Sequence, residues 1–143
     1  MNLPVTPLLA VDGIIEVYDD VDHFKGIVLI ERKNKPLGLA FPGGFVDVGE
    51  SVESALIREM KEETRLDVAT LKLLSVFSNP DRDPRFHVVS IVFTCKAKGT
   101  PEGADDAKLA TLYKPEDIPK EKLVFDHKLI LECWENQRLQ KEG

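Results

Sequence analysis

The chain has 143 residues, a size at which one domain can bury a sizeable core without cross-links. Nineteen basic residues against 25 acidic ones give a net charge of −6, which argues against nucleic acid as a partner because phosphate backbones attract basic surfaces. No apolar run approaches the roughly 18 residues of a membrane span, and the N-terminus does not resemble a signal peptide, so we expect a cytoplasmic protein without membrane binding.

The predicted elements are strands rich in Val, Ile and Phe, separated by breaks that carry Pro, Gly and Asp. We expect the first strand to be interrupted at Asp12-Gly13, Ser51 to cap the central helix and Asp126 to cap the last helix. In chain order, the predicted strands cover residues 8–18, 26–32, 37–41, 71–78, 86–98 and 109–113, and the predicted helices cover residues 52–64 and the segment after residue 126.

Strands mixed with one central and one terminal helix predict an α/β fold in which a mixed sheet is covered on both faces. The sequence has no repeat, low-complexity segment or linker, so we expect a single domain over residues 1–143. Cys95 and Cys133 lie far apart and form no CxxC pair, which indicates free thiols.

Three glutamates, Glu59, Glu62 and Glu63, lie on one side of the predicted central helix, because residues three and four apart are neighbours on a helix. Like charges at this spacing oppose folding by roughly 0.2–0.5 kcal/mol per pair. Carboxylates are the ligands with which proteins commonly hold Mg²⁺ beside substrate phosphates. The cluster therefore indicates either a divalent-cation site or a solvated acidic helix face.

The surrounding residues favour the metal site, because residues 44–66 resemble the Nudix box, G-x5-E-x7-R-E-U-x-E-E-x-G-U, where U is a bulky aliphatic residue. Arg65 stands where the pattern has its second glycine, so we expect the helix end to differ or a left-handed residue to cost about 1 kcal/mol. The resemblance covers nearly the whole chain and implies the Nudix α/β/α sandwich with a mixed central sheet and a box helix. The matching positions are Gly44, Glu50, Arg58, Glu59, Met60, Glu62, Glu63 and Leu66.

Nudix enzymes hydrolyse a pyrophosphate that links a nucleoside to another moiety, and the resemblance implies Mg²⁺ as cofactor, with Mn²⁺ as an alternative. Arg58 is implied to act in catalysis by orienting the glutamates. Glu50 is expected to pair with Arg58, to bind metal through water, or to be an acid at the helix start. The implied metal ligands, also catalytic, are Glu59, Glu62, Glu63 and the carbonyl of Gly43.

Outside the box, residues 78–93, 9–13 and 103–107 resemble the small ADP-ribose pyrophosphatases. This second resemblance implies hydrolysis of ADP-ribose to AMP and ribose 5-phosphate. Alternatively, the acids and arginines of residues 81–85 pair with one another in a structural loop. The candidate substrate contacts are Arg32, Arg82, Arg85, His87, Asp105 and Asp106.

The identity of the general base is left open. It is either a box glutamate or a loop acid among Glu102, Asp105 and Asp106, and Glu102 is preferred among the loop acids for its longer side chain. His23 and His127 are expected to be structural or solvated. Two other functions stay open: a Nudix pyrophosphatase for nucleoside triphosphates or dinucleoside polyphosphates, and a non-catalytic nucleotide sensor. The expected partner is a small nucleotide substrate, and a homodimer is left open.

Overall fold

The sheet is organised around strand β1 (Leu8–Tyr18), which has neighbours along both of its edges. On one side it runs parallel to β6 (Val88–Lys98) over its full length. On the other side two antiparallel strands share it, β4 (Gly43–Phe45) along the first half and β2 (Phe24–Glu31) along the last residues. Because β2 and β4 pair with different halves of β1, the two strands diverge along this edge.

The computed structural model describes residues 2–102 and 109–142. Their strands form one mixed sheet in the order β3-β2-β1-β6-β5, with β4 beside β1 and β7 beside β2. The pairing of β1 with β6 is parallel and the other pairings between named strands are antiparallel, so the predicted mixed sheet is confirmed. The further elements are β3 (Leu39–Ala40), α1 (Val52–Thr64), β5 (Ala69–Phe77), β7 (Leu109–Tyr113), 3-10 turns at Pro115–Asp117 and Lys120–Lys122, and α2 (His127–Glu142).

The two α-helices cover opposite faces of the sheet, as the alternation of side chains along β1 indicates. Val11 and Ile15 belong to the same buried cluster as Leu56 of α1. Ile14, between them in the chain, belongs to the cluster that contains Trp134 of α2. The sheet is therefore buried on both faces, as the predicted α/β/α sandwich requires.

The expected interruption of β1 at Asp12-Gly13 is wrong, because the strand runs unbroken through both residues. Gly13 faces α1, where an added Cβ would lie 2.6 Å from Sδ of Met60 and 3.1 Å from Leu56. The glycine thus permits the close approach of helix and sheet. The side chain of Asp12 accepts a hydrogen bond from the hydroxyl of Ser90 on the neighbouring strand. Both residues serve packing within the sheet and form no turn.

Helix α1 has the predicted bounds and the predicted N-cap. The Ser51 side chain accepts a hydrogen bond of 3.1 Å from the backbone N–H of Ser54, which satisfies one of the free donors of the first turn. At the other end Arg65 is left-handed, with φ 66° and ψ 7°, and its N–H donates to the carbonyl of Lys61 at 3.0 Å. The chain therefore keeps the backbone geometry that the Nudix glycine would give, with an arginine in it.

Asp126 lies in the predicted N-cap position directly before α2, although its side chain is bonded elsewhere. Its backbone carbonyl accepts hydrogen bonds from the N–H groups of Leu129 and Ile130, but both carboxylate oxygens accept from the guanidinium of Arg82. A buried guanidinium requires a carboxylate partner more strongly than a helix end requires a cap, since bonds between charged groups are roughly twice as strong as neutral ones.

The cysteines are free, as predicted, with Cys95 buried in the sheet and Cys133 partly buried on α2. Burial raises the pKa of the Cys95 thiol to about 12, so this thiol is unreactive at neutral pH. None of the described helices is long and apolar enough to cross a membrane.

Candidate functional site

A cavity of about 380 Å³ lies at the edge of the sheet where β2 and β4 diverge. Its walls come from β1, the end of β2, the β3–β4 segment, α1, the loop after β5 and the start of α2. Side chains of both charges line it, so one face can attract a cation while another attracts phosphate. The charged lining residues are Asp12, Glu59, Glu63 and Asp83, and Arg32, Lys33, Arg82 and Arg85.

Two of the three box glutamates face this cavity. The buried residues of α1 anchor the helix to the sheet, which turns Glu59 and Glu63, one helical turn apart, toward the β3–β4 segment. One carboxylate oxygen of Glu63 accepts a hydrogen bond of 2.8 Å from the backbone N–H of Gly43. A Cβ at Gly44 would collide with the carboxylate of Glu59, so a larger residue at this position would displace that carboxylate.

Arg58 binds three of the box acids and does not itself line the cavity. Its Nε and Nη2 donate to the two carboxylate oxygens of Glu50 at 2.7 and 2.8 Å, and its Nη1 donates to Glu59 at 2.8 Å. The same Nη1 lies 3.3 Å from the carboxylate of Glu62. Hydrogen bonds from Arg58 lower the pKa of Glu50 to about 2. The pairing of Glu50 with Arg58 is therefore confirmed.

The third box glutamate, Glu62, is 58% exposed on the outer side of the helix and is turned toward Arg58. Within residues 2–102 and 109–142, no three acidic, histidine or cysteine side chains are arranged to hold a metal ion. The donor set nevertheless fits a hard cation, since it consists of carboxylate oxygens on neighbouring positions. Burial raises the pKa of Glu59, and the charges of Glu63 and Glu62 raise it further, so a cation would relieve this cost.

The loop after β5 supplies two arginines, each held by a carboxylate. Asp83 accepts from Nε and Nη2 of Arg85 at 3.0 and 2.8 Å, which is the pairing within the loop that the sequence left open. Arg82 instead leaves the loop and binds Asp126 at the start of α2, at 2.9 and 2.7 Å. Both arginines also line the cavity, so the same residues form structural ion pairs and contribute to the cavity wall.

Arg32, just after β2, lies in the wall with its Nε donating to the carbonyl of Pro36 at 2.8 Å. Its guanidinium carbon is 4.9 Å from the ring centroid of Phe125, and that of Arg85 is 5.5 Å from the same ring. Phe125 has a left-handed backbone, with φ 57°, immediately before the residues that open α2. The ring therefore forms a platform between two guanidinium groups at the cavity wall.

Other predicted site residues lie away from this cavity or outside the described chain. The ring of His87 lies 3.3 Å from the carbonyl of Ser78 and does not line the cavity. Glu102 has an exposed side chain, and its backbone N–H donates to the carbonyl of Thr64 at the end of α1. Asp105 and Asp106 lie outside the described residues.

Asp12 is a cavity residue that the sequence analysis did not predict. Its desolvation by burial raises the pKa to about 7, against the lowering effect of the hydrogen bond from Ser90. The signal in the sequence was that Asp12, an acid, lies on the same face of β1 as the buried Ala10 and Ile14. That signal was overlooked because Asp12-Gly13 reads as a turn.

His127 is the second unpredicted cavity residue, and it is buried rather than solvated. Its Nδ1 accepts a hydrogen bond of 3.0 Å from the backbone N–H of Phe41, the residue that precedes the β4 segment. Burial and the nearby charges of Arg82 and Arg32 lower its pKa to about 3. No sequence pattern links residues 86 positions apart.

Comparison with known proteins agrees with the box. The chain is 47% identical over 141 residues to the ADP-ribose pyrophosphatase of Methanocaldococcus jannaschii, which covers 94% of this chain and 79% of that protein. A MutT/nudix family protein from Enterococcus faecalis superimposes with a TM-score of 0.81 at 30% identity, covering 98% of this chain and 66% of that chain.

The NUDIX domain of Shewanella oneidensis NrtR, solved in complex with ADP ribose, superimposes with a TM-score of 0.81 at 25% identity over 93% of this chain and 89% of that chain. The family model described as the NUDIX domain matches residues 7–133. With that match over most of its length, this chain belongs to the Nudix family.

Proposed function

We propose that this protein hydrolyses ADP-ribose to AMP and ribose 5-phosphate with the help of a divalent cation, Mg²⁺ by preference and Mn²⁺ as an alternative. The observation that carries the proposal is a single cavity whose wall combines two box glutamates with three anchored arginines. A relative that is 47% identical over 94% of this chain is named an ADP-ribose pyrophosphatase, and the similar domain from Shewanella oneidensis binds ADP ribose, which supports the same substrate.

The arginines suit a diphosphate because each is already held on one side. Arg32 is held by a backbone carbonyl, and Arg82 and Arg85 by carboxylates, in each case through Nε. Guanidinium groups fixed in this way lose little side-chain entropy when they bind an anion. Their planar forks match phosphate oxygens, so the three groups would orient the diphosphate of the substrate.

Nudix hydrolases generally use divalent metals, and the carboxylates here fit one. When bound, such an ion neutralises charge on the phosphate oxygens and lowers the pKa of a coordinated water. Glu59 and Glu63 would hold it from the cavity side, with Glu62 and the carbonyl of Gly43 as further ligands. Arg58 would orient Glu59 through the 2.8 Å hydrogen bond between them.

The proton of the attacking water needs a base, for which we propose a box glutamate or an acid of residues 102–106. Within that segment Glu102 is the candidate with the longest side chain, and its backbone is joined to the end of the box helix at Thr64. Glu102→Gln and the paired Asp105→Asn and Asp106→Asn variants would separate these candidates through the pH profile of kcat.

A substrate panel with Mg²⁺ tests the proposal. We expect a higher kcat/KM for ADP-ribose than for ATP, dGTP or a dinucleoside polyphosphate, with AMP and ribose 5-phosphate identified as products. Asp105→Asn or Asp106→Asn should narrow this preference, because a triphosphate would meet these acids as like charge. Preference for a triphosphate would overturn the substrate and leave a metal-dependent pyrophosphatase. Binding of ADP-ribose without turnover would favour a nucleotide sensor.

A further inference from the structure

We infer that His127 is a substrate-binding residue whose Nε2–H donates a hydrogen bond to a phosphate oxygen of the bound diphosphate. This inference rests on the proposed function, since it assumes that a nucleoside diphosphate derivative occupies the cavity. His127 belongs to α2, away from the box helix, and it reaches the cavity between the β3–β4 segment and Phe125.

The first argument is the hydrogen bonding of the imidazole. Nδ1 accepts from the backbone N–H of Phe41 at 3.0 Å, so the neutral ring carries its proton on Nε2. That N–H has no hydrogen-bond partner among the described residues, although the histidine is only 3% exposed. The Nε2 atom itself is not fully buried, so it is accessible from the cavity that the side chain lines. A buried donor without a partner costs stability unless a ligand or water satisfies it.

The second argument is the charge around the ring. Arg82 and Arg32 act on His127 electrostatically and, together with burial, keep it uncharged at neutral pH. A neutral donor beside two guanidinium groups is suited to an anionic acceptor, because the cations attract the ligand and the imidazole adds direction.

The third argument is that the donor is fixed before any ligand arrives. The imidazole packs against Phe41 at a centroid distance of 5.6 Å and against Phe125 at 5.4 Å, while the Phe41 N–H fixes its rotation. A donor held in one orientation loses no further freedom on binding, which is how enzymes prepare hydrogen bonds to phosphate.

The competing explanation is that His127 serves only to satisfy the backbone N–H of Phe41. Two substitutions separate the roles. In His127→Asn the side-chain oxygen can replace Nδ1 as acceptor, but nothing replaces the Nε2 donor. In His127→Gln the side-chain amide reaches the position of Nε2, but the acceptor for Phe41 is lost. A purely structural histidine should tolerate Asn better than Gln, and a ligand donor should tolerate Gln better than Asn.

The experiment is calorimetric titration of ADP-ribose and of adenosine, with Mg²⁺ present, into both variants in a Glu63→Gln background that prevents turnover. For ADP-ribose we expect His127→Asn to raise Kd roughly 10- to 100-fold, the effect of one hydrogen bond to a charged acceptor. His127→Gln should raise Kd less while lowering Tm more. Adenosine, which has no phosphate, should bind both variants and the parent equally.

Each outcome has its own meaning. If ADP-ribose binds the parent and binds His127→Asn within twofold as tightly, the inference is overturned and the proposed function stands. If adenosine loses as much affinity as ADP-ribose, the acceptor belongs to the nucleoside and the diphosphate assignment is wrong. If the parent does not bind ADP-ribose and the wild type does not hydrolyse it, the proposed function fails and the inference fails with it.

Discussion

The guanidinium of Arg82 and the carboxylate of Asp126 are joined by two hydrogen bonds, from Nε at 2.9 Å and from Nη2 at 2.7 Å. Their side chains are only 4% and 13% exposed. The pair connects the loop after β5 to the start of α2, and because Arg82 lines the cavity, it also fixes part of the wall. We therefore expect stability and ligand binding to be coupled at this contact.

Replacing Asp126 should reveal that coupling. We expect Asp126→Asn to lower the free energy of unfolding by about 3 kcal/mol, because it leaves a buried guanidinium without its counter-charge. The KM for ADP-ribose should rise as well, since Arg82 loses its fixed orientation. Urea unfolding and steady-state kinetics measure the two effects, with Asp81→Asn, an exposed acid of the same loop, as control. A loss no larger than that of the control would show that the pair contributes nothing.

The box carboxylates should matter for chemistry far more than for folding. Glu63→Gln keeps the shape of the side chain and an acceptor for the Gly43 N–H but removes the charge that would hold the cation. We expect kcat to fall by orders of magnitude with little change in Tm. Glu53→Gln, an exposed acid in the first turn of the same helix, is the matched control. Near-native turnover by Glu63→Gln would remove this residue from the metal site.

Arg65 should be replaceable without loss of function. Its φ of 66° favours glycine, so Arg65→Gly should leave the free energy of unfolding unchanged or raise it by up to about 1 kcal/mol. Arg65→Ala keeps the Cβ and removes the rest of the side chain, so the difference between the two variants isolates the backbone effect. Chemical denaturation gives both values. If the glycine variant were the less stable by more than about 1 kcal/mol, the arginine side chain would have to make a contact worth more than the backbone strain.

Burial of His127 predicts instability in acid. Its folded-state pKa of about 3 lies below the ordinary histidine value of 6.5, so below pH 6.5 the unfolded chain binds a proton that the folded protein does not. Stability from this residue is complete above pH 6.5 and is lost as pH falls toward 3. Relative to His127→Asn, the wild type should lose roughly 1.4 kcal/mol per pH unit in this window. Parallel curves for the two proteins between pH 6 and pH 4 would contradict the prediction.

Local patterns allowed the box helix to be predicted from the sequence. The helix bounds, the Ser51 cap and the pairing of Glu50 with Arg58 depend on residues within eight positions of one another, where helical periodicity determines which side chains meet. Runs rich in Val, Ile and Phe, bounded by Pro, Gly and Asp, likewise predicted the strands other than β4. A turn dipeptide misled at Asp12-Gly13, because tertiary packing gives these residues roles that local propensity does not contain.

The part of the cavity wall formed by the loop after β5 and the start of α2 could not be predicted from local patterns. Arg82 meets Asp126 across 44 residues and Phe41 meets His127 across 86, and neither spacing corresponds to a period of helix or strand. Such contacts depend on how the loop after β5 and the start of α2 are brought together by the sheet. Sequence alone could therefore name Arg82 as a candidate without naming its partner, and it missed the histidine.

Because β2 and β4 pair with different parts of one edge of β1, two parts of the cavity wall are attached to the sheet separately. Strand β4, which lies beside the box glutamates, pairs with the first half of β1. Strand β2, which leads to Arg32, pairs with the last residues of β1. We therefore expect changes in the β2–β3 hairpin to reshape the part of the cavity around Arg32 without moving the box glutamates, because the full-length pairing of β1 with β6 holds both halves of β1 in register. A lineage of such proteins could exchange one substrate for another and keep the same hydrolytic chemistry.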